Sequence, residues 1–495
     1  MLSGFYLRFG NTLERQTNER VRRVAQAVLA APHPALTDVI PGYSTLYLEY
    51  DSTRFTEKAL RTWLKRLSEG ALPDGKRHVL EAVYDGPDLE TVAERTGLSV
   101  GAVVARHSAK EYDVYAIGFT PGLAFMGLLE PGLEVPRRAA PRAHVEAGTV
   151  AITGAQTTVY PVASPGGWQL LGRTVRPVYT PGTEPLLQAG DRVRFRPVAA
   201  APRLEPQTPL ELLPESPRRP LLRVLEPGLL DLVVDGGRFR AGRFGFARSG
   251  PLDAPSAGVA NRLVGNPPGA ALLELNLQGG VFEGVGRGVL AFAGGGLQPV
   301  LNGGAVSGNT SFAVRPGDRL MFVPARGGSR GYLAFAGGLE TRRYLGSASV
   351  DLRGGVGRAL AEGDLLGVAE PRGQRPGRTF GPRRPTDPER WPLRLLPGPQ
   401  ATAAALGALT RQTFTVGRAD RMGVQLTGAG VPGGEVLSEA VPLGSVQVPP
   451  GGEPLLLLND RGTLGGYAKP AVLHPADLAR AGQLRPGQRL RFRLV

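Results

Sequence analysis

Cysteine is absent from the 495 residues. That excludes disulfides, thiol nucleophiles and Cys-ligated zinc. Histidine is scarce: His33, His78, His107, His144 and His474. No two lie four apart, so no helical His pair can hold a metal, and no metal site is expected. Lysine is scarcer than the charge suggests, with only positions 58, 65, 76, 110 and 469 among 58 basic residues. No run reaches about 18 apolar residues. The opening MLSGFYLRFGNTLERQ has no charged segment followed by an apolar one. The simplest reading is a soluble cytoplasmic protein without a membrane partner. What is abundant is glycine and proline, 70 and 45 residues, nearly a quarter of the chain. Both break helix interiors, so helical bundles and coiled coils are excluded. Scattered among Val, Leu and Phe, they indicate a mainly β protein with some helices.

The net charge of +15 is uneven. Residues 1–215 carry 24 Lys/Arg against 23 Asp/Glu; residues 216–495 carry 34 against 20. A nearly neutral half argues against nucleic acid as a partner. Residues 88–108, DLETVAERTGLSVGAVVARHS, scan as two helices around Gly97, with Ser99 capping the second. The second helix, VGAVVAR, has no polar side chain at its front to read bases. A packed helical hairpin is expected instead.

The length suggests three or four domains. The Pro-rich segment 201–220 reads as a linker between halves, and the Arg/Pro-rich 371–392 as a solvated connector. Residues 1–85 alternate strand and helix, a small α/β lobe. Asn11 and Glu14 suggest a capping box. Val21, Val24, Ala25, Val28 and Leu29 mark one amphipathic helix, and Ala59, Leu60, Trp63, Leu64 and Leu67 a second. Residues 86–200, 221–370 and 393–495 are dominated by strands and turns. GDRV at 190–193, PGDR at 316–319 and PGQR at 486–489 each precede a final-looking strand, which hints at repeated β-barrel lobes.

Two segments of the first half concentrate chemistry. In HSAKEYDVYAIGFTPGLAF (107–125) a strand runs into Thr120-Pro121-Gly122, which suits a type II turn. In GAQTTVYPVASPGGWQLLGRT (154–174), Gln156, Tyr160, Ser164, Trp168 and Gln169 crowd around Pro165-Gly166-Gly167. A Gln amide donates and accepts at once, which matches a substrate amide. By composition these are either ligand-binding loops or ordered turns.

The order GFTPG, then PRR, then GTVAITGAQTTVYPVASPGGWQLLGRT resembles the B subunit of 5-oxoprolinase, also described as a histidine-kinase inhibitor family and as allophanate hydrolase subunit 1. The likeness covers nearly all of residues 1–205. The second half is similar to the C subunit of the same enzyme through VLEPGLLDLVVDGGR (224–238), SGPLD (249–253), ANRLVGNPPGAALLELNLQGG (260–280), DRMG (420–423), LSEAVPLGSVQVPP (437–450) and DRGTLGGYAK (460–469). Both halves also resemble the carboxyltransferase part of urea carboxylase. Polar residues usual in the C subunit of the family are replaced at Val234, Gly296, Gly462 and Leu464, which suggests an altered pocket in the second half.

The resemblance implies cyclophilin-like β-barrels in both halves and a separate 5-oxoprolinase A subunit for a partner. It also implies ATP-dependent opening of 5-oxo-L-proline to L-glutamate, with ATP and Mg as cofactors. A lactam is a resonance-stabilised amide, and phosphorylating its oxygen makes a better electrophile. Substrate contacts are then expected at Phe119, Pro121, Gly122, Gln156, Tyr160, Ser164, Gly166, Gly167, Trp168 and Gln169. His107 is an acid/base candidate or a structural histidine. Asp235 with Arg238, and Asp420 with Arg421, are salt bridges or charged pocket groups. Asp253 caps a helix or faces the site, and Glu274 is paired internally or faces a cleft. Asp460 completes the catalytic candidates. Arg238, Arg421, Arg461 and Lys469 are the phosphate candidates, since no G-x-x-x-x-G-K-[ST] loop exists. Two other readings carry different partners. One is a regulatory protein that binds a sensor histidine kinase. The other is a carboxyltransferase acting on urea or a similar amide, served by a separate carrier because no Met adjoins a Lys to form a biotinyl site. A homo-oligomer is left open.

Overall fold

The computed structural model describes residues 2–68, 70–72, 74–138, 140, 142–325, 327–370, 373–381 and 392–495. Leu2–Arg8, Leu36–Pro41 and Thr45–Asp51 form an antiparallel sheet with Thr45–Asp51 in the middle. Helices Arg15–Ala30 and Glu57–Leu64 cover it, and Val21, Ala25, Val28 and Leu60 bury against Leu46 and Leu48. The amphipathic spacing thus places both helices. The expected capping box does not form: Glu14 itself is the N-cap and makes no side-chain cap bond. Its carboxylate instead accepts from Thr12 Oγ1 at 2.9 Å.

The first closed barrel has seven strands: Arg77–Val83, Glu111–Ile117, Ala124–Gly127, Thr149–Thr153, Gln156–Val159, Gln169–Thr174 and Arg192–Pro197. Its first strand was expected in the N-terminal lobe. Pairing with Arg192–Pro197 and Gln169–Thr174 brings it into the ring instead. Helices Leu89–Thr96 and Val100–Ala109 form the expected hairpin, with Gly97 at φ 67° and Ser99 Oγ accepting from Ala102 N.

Residues 220–367, expected as a barrel lobe, contain two sheets of six and five strands instead of a ring. Phe322 of one sheet meets Phe282 beside it and Phe292 of the other sheet, with ring centres 6.0 and 5.3 Å away. Helix Ala254–Leu263 packs on the five-stranded sheet. The 201–220 segment is tied down rather than loose. Leu210 pairs with the backbone at Gly355 and Gly357, and Leu212 is buried in the core of this lobe. The connector expected at 371–392 falls mostly outside the described residues.

A second closed barrel follows: Leu393–Pro397, Thr413–Ala419, Gly423–Thr427, Ser445–Val448, Leu455–Leu457, Leu464–Leu473 and Arg489–Leu494. Numbered one to seven along the chain, the strands of both barrels close in the same order, 1-7-2-3-5-4-6. In both, strands one and seven are parallel and the other pairs antiparallel. The GDRV and PGQR turns each lead into strand seven, so the short recurrence marks equivalent places in two copies of one topology. Among the described residues, no helix is long and apolar enough to cross a membrane.

The two-sheet lobe and the second barrel are joined by buried charge. Glu274 binds Arg421 and accepts from Leu252 N (3.0 Å) and Tyr332 Oη (2.8 Å). Arg421 also binds Asp460 at 2.8 Å. Burial opposes the ionised form of Glu274, but Arg421, Arg330 and these donors hold its carboxyl below the usual range. Arg421→Met leaves buried Asp460 without its cation and Glu274 with Arg330 alone, 3.7 Å away. The expected loss is about 3–5 kcal/mol, read as a lower midpoint for the second half in denaturant unfolding. An unchanged midpoint would show that the network does not hold these lobes together.

Candidate functional site

The identical ring order makes particular loops of the two barrels equivalent. Loop 118–123, carrying GFTPG, joins strands two and three of the first barrel; Asp420-Arg421-Met422 does the same in the second. Residues 160–168, carrying SPGG, join strands five and six of the first barrel; residues 458–463, carrying NDRGT, are their counterpart. The two-to-three loop of the first barrel meets the five-to-six loop of the second. A Cβ on Gly118 would run into the Leu464 side chain, and one on Gly462 would lie 3.1–3.2 Å from Phe119 O and Cα. At Gly462 the two backbones come close enough that a side chain would need Phe119 to shift.

The GFTPG turn is therefore a joint. Gly122 N donates to Phe244 O at 3.0 Å, and Pro121 lies against Gly354. Phe119 sits at φ 68° and, on a loop packed nearby, Ser249 at φ 53°, both in the left-handed region that non-glycine residues avoid. Arg353 reaches across the joint. Its guanidinium lies 4.9 Å from the Phe119 ring centre, donates to Phe119 O at 3.4 Å and sits 3.3 Å from Met422 Sδ. Among the described residues no carboxylate comes within ion-pairing distance of it, and burial pulls its pKa down against Asp351, Asp460 and Asp420 nearby. Four buried polar atoms on the meeting loops have no hydrogen-bond partner: Thr120 Oγ1, Ser249 Oγ, Asp351 Oδ2 and Thr463 Oγ1. Strain, orphaned polar atoms and a cation without an ion pair in one place make this joint the candidate site.

An aromatic wall continues from the joint. Tyr43, Tyr115, Phe125, Tyr160, Trp168 and Leu464 share one core that spans the N-terminal lobe and both barrels. Phe125 and Trp168 ring centres lie 6.1 Å apart. Tyr43 Oη donates to Gln156 Oε1 at 2.8 Å, which leaves the Gln156 amide N–H groups without a described protein partner. The Tyr160 ring covers Gly166, and its burial pushes the phenol up to about 12. Gly167 O accepts from Arg138 N at 2.8 Å, and Gln169 Nε2 donates to Pro136 O at 3.0 Å. Ser164 Oγ and Gln169 Oε1 are buried without partners. The PRR segment thus shapes the SPGG loop, while Arg137 projects over the Tyr467 ring at 5.6 Å.

The substrate candidates of the first half therefore lie along one seam, although Phe119, Pro121 and Gly122 form its joint. Most of the catalytic and phosphate candidates do not join them, although Asp460 and Arg461 sit on the 458–463 loop of the joint. His107 is fully buried inside the first barrel; Nδ1 meets Tyr84 Oη at 2.7 Å and Nε2 meets Thr157 Oγ1 at 2.9 Å. It is a core histidine. Asp235 organises a turn, accepting from Gly237 N, Ala348 N and the hydroxyls of Ser347 and Ser349. Arg238 does not pair with it and donates to Ser349 O at 2.7 Å instead. Asp253 caps helix Ala254–Leu263 through Ser256 N. Glu274, Asp460 and Arg421 belong to the buried ionic network. Arg461 donates to Val441 O, and Lys469, wholly buried, pairs with Glu439 at 3.2 Å. Arg421 and Lys469 are ion-paired in the interior, whereas Arg238 and Arg461 bond only to backbone carbonyls and Arg238 Nη1 is buried without a partner. Of the residues missed, Arg137 had a signal in its PRR motif. Arg353 had none, because its role arises only when the halves meet.

The model of the carboxyltransferase domain, subdomain A and B, matches residues 244–494, and that of subdomain C and D matches residues 2–188. The chain belongs to the carboxyltransferase-domain family. Within this family, the B subunit of 5-oxoprolinase from Bacillus subtilis (strain 168) is 37% identical over 213 residues, 39% of this chain and 88% of the relative. The C subunit of 5-oxoprolinase from Escherichia coli (strain K12) is 32% identical over 285 residues, 55% of this chain and 90% of the relative. Urea amidolyase of Lachancea kluyveri is 31% identical over 303 residues, 54% of this chain but 16% of the relative. The crystal structure of TTHA0988 matches the entire chain, with 52% identity, full coverage of both and a TM-score of 0.95. The carboxyltransferase C/D and A/B units therefore stand on one chain, the B-like half first and the C-like half second, and the seam lies where they meet.

Two outcomes follow from this geometry. Burial lowers the His107 pKa to about 3, whereas an unfolded histidine titrates near 6.5. The unfolded chain then binds the extra proton between these values. Stability contributed by neutral His107 is complete above about pH 6.5 and is lost as pH falls toward 3, at up to about 1.4 kcal/mol per unit. Thermal unfolding against pH should show this slope, and His107→Gln should flatten it; an equal slope in the variant would place the titration elsewhere. Gly462→Gln should destabilise the joint by about 1–3 kcal/mol, seen as a lower thermal midpoint, whereas no shift would show that the loop yields freely.

Proposed function

We propose that the chain is the combined B and C component of an ATP-dependent 5-oxoprolinase, acting with a separate A subunit. The observation that supports this best is the seam: loops from the B-like and C-like halves meet around the guanidiniums of Arg353 and Arg461, neither of them ion-paired, and several unpartnered polar groups. A lactam needs one donor and one acceptor for its amide, and the Gln156 and Gln169 side chains offer both. The aromatic wall of Tyr160 and Trp168 suits the carbon face of the ring.

In this reaction the γ-phosphoryl of ATP passes to the lactam oxygen, releasing ADP. Water then adds at the activated carbon, the C–N bond opens to give a γ-glutamyl phosphate and the free amine, and a second water releases phosphate to give glutamate. Negative charge collects on oxygen at each step. Arg353, held by the Phe119 ring and carbonyl, is the group on this chain that can face it. No cluster of three or more His, Asp or Glu among the described residues is placed to hold a metal, so Mg is assigned no ligand here and would arrive with the nucleotide. The carboxyltransferase family and the urea amidolyase relative support a second reading, carboxyl transfer from a separate biotin carrier to an amide nitrogen.

The deciding assay is ADP release by the purified chain with ATP and Mg²⁺, with and without 5-oxoproline and the cognate A subunit. Release that is stimulated by the lactam and needs this partner is expected. Arg353→Lys should then lower kcat by about 10²-fold or more without a matching loss of stability. No lactam-stimulated release in any combination would reject this reading, and carboxyl transfer from free carboxybiotin would next be measured.

A further inference from the structure

A cavity of about 560 Å³ opens away from the seam, between helix Arg15–Ala30, strand Leu36–Pro41 and the 240–244 turn of the second half. Three arginines line it: Arg22 from the helix, and Arg240 and Arg243 from the turn. Among the described residues none of the three has a carboxylate within ion-pairing distance. Their observed partners are neutral. Arg22 Nε donates to Asn18 Oδ1 at 3.1 Å, Arg243 Nη1 donates to Arg240 O at 2.9 Å, and the Arg243 guanidinium lies 4.3 Å from the Phe244 ring centre. Asp38 is the one carboxylate in the lining, and it already accepts from Val39 N (2.9 Å) and Gly242 N (3.2 Å).

The turn is held in an uncommon conformation. Arg240 lies at φ 61°, fixed by its N–H donating to Thr37 O at 3.0 Å. A Cβ on Gly242 would lie 2.6 Å from Asp38 Oδ2, so the turn must approach that carboxylate as bare backbone. The fold therefore spends conformational strain to bring two guanidiniums of one half beside a third from the other. Burial lowers the pKa of both Arg22 and Arg243, against the attraction of Glu19 and Asp113 on the first and of Asp38 and Glu184 on the second. Gathered guanidiniums that lack an ion-paired carboxylate gain when an anion joins them. The lining also includes the apolar side chains of Leu29 and Leu36.

We propose that this cavity binds a small organic polyphosphate, with its phosphates on Arg22, Arg240 and Arg243 and its apolar part on Leu29 and Leu36. Three guanidiniums facing one cavity match a polyanion better than a single carboxylate. Phe244 lines the cavity and its carbonyl holds Gly122 of the joint, so an occupant would sit one residue contact from the seam. Binding here does not depend on the 5-oxoprolinase reading.

Calorimetric titration of the full chain with pyrophosphate, and separately with ADP, tests it without the A subunit or oxoproline. Both probes should bind with Kd below about 1 mM, ADP more tightly, and the affinity should fall with salt. Arg240→Ala/Arg243→Ala should lose at least about tenfold in affinity while keeping the wild-type thermal midpoint. Arg240→Gln alone, at an exposed position, serves if the double variant is unstable and should weaken both probes. Arg243→Lys should retain part of the binding. Absence of binding to the wild-type chain would overturn the proposal, as would unchanged binding in the arginine variants, which would place the probes elsewhere.

Discussion

The arrangement of this protein depends on one close approach. The GFTPG turn of the first barrel lies backbone against backbone on the DRGT loop of the second, and Gly118 and Gly462 make that possible. A side chain at Gly118 would displace Leu464, and one at Gly462 would press on Phe119. Arg353 could then no longer rest on Phe119 and beside Met422, and the aromatic wall would lose Leu464. The replacement of a polar residue at 462 acquires a physical meaning here. Position 462 lies against Phe119 at the contact between the halves.

The two barrels close with the same strand order, so they offer equivalent loops, and the site divides its tasks between them. In the first barrel the two-to-three loop docks and the five-to-six loop carries Ser164 and Trp168, with Gln169 opening strand six. In the second, the two-to-three loop carries Arg421, which is spent inside the protein on Glu274 and Asp460. The five-to-six loop supplies the docking partner. Equivalent positions thus perform unlike tasks because their neighbours differ. Having both halves on one chain removes the entropic penalty of bringing two separate chains together, which suits a site assembled only at their junction.

Charge separates structural from functional groups. Glu274, Arg421, Asp460, Glu439 and Lys469 are buried and mutually satisfied. A carboxylate or ammonium in that state is expensive to remove and has nothing left to offer a substrate. Arg353, Arg22, Arg240 and Arg243 differ: their contacts are carbonyls, amides, sulfur and rings, all of which leave a positive charge unanswered. Function is sought where charge is left over.

Much was legible from the residues. Val21, Ala25 and Val28 announced a helix by spacing, Gly97 and Ser99 announced a hairpin, and GDRV and PGQR marked the last strand of each barrel, because these signals are local. The long SPGGWQ and DRGTLGG motifs carried the family. What could not be read was which charged residues remain available. His107 follows a helical pattern whether it faces solvent or a barrel interior, and only the packing of Tyr84, Tyr112 and Phe195 around it decides. Asp235 and Arg238 look like a pair in sequence, yet the turn at 347–349 claims the carboxylate, and Arg238 turns to a backbone carbonyl. The sequence by itself therefore determined strands, helices, family and the location of the motif-bearing loops. Only the tertiary structure decided the ionic partners, the joint and the two arginine-lined places, because these depend on residues hundreds of positions apart whose contact no local pattern encodes.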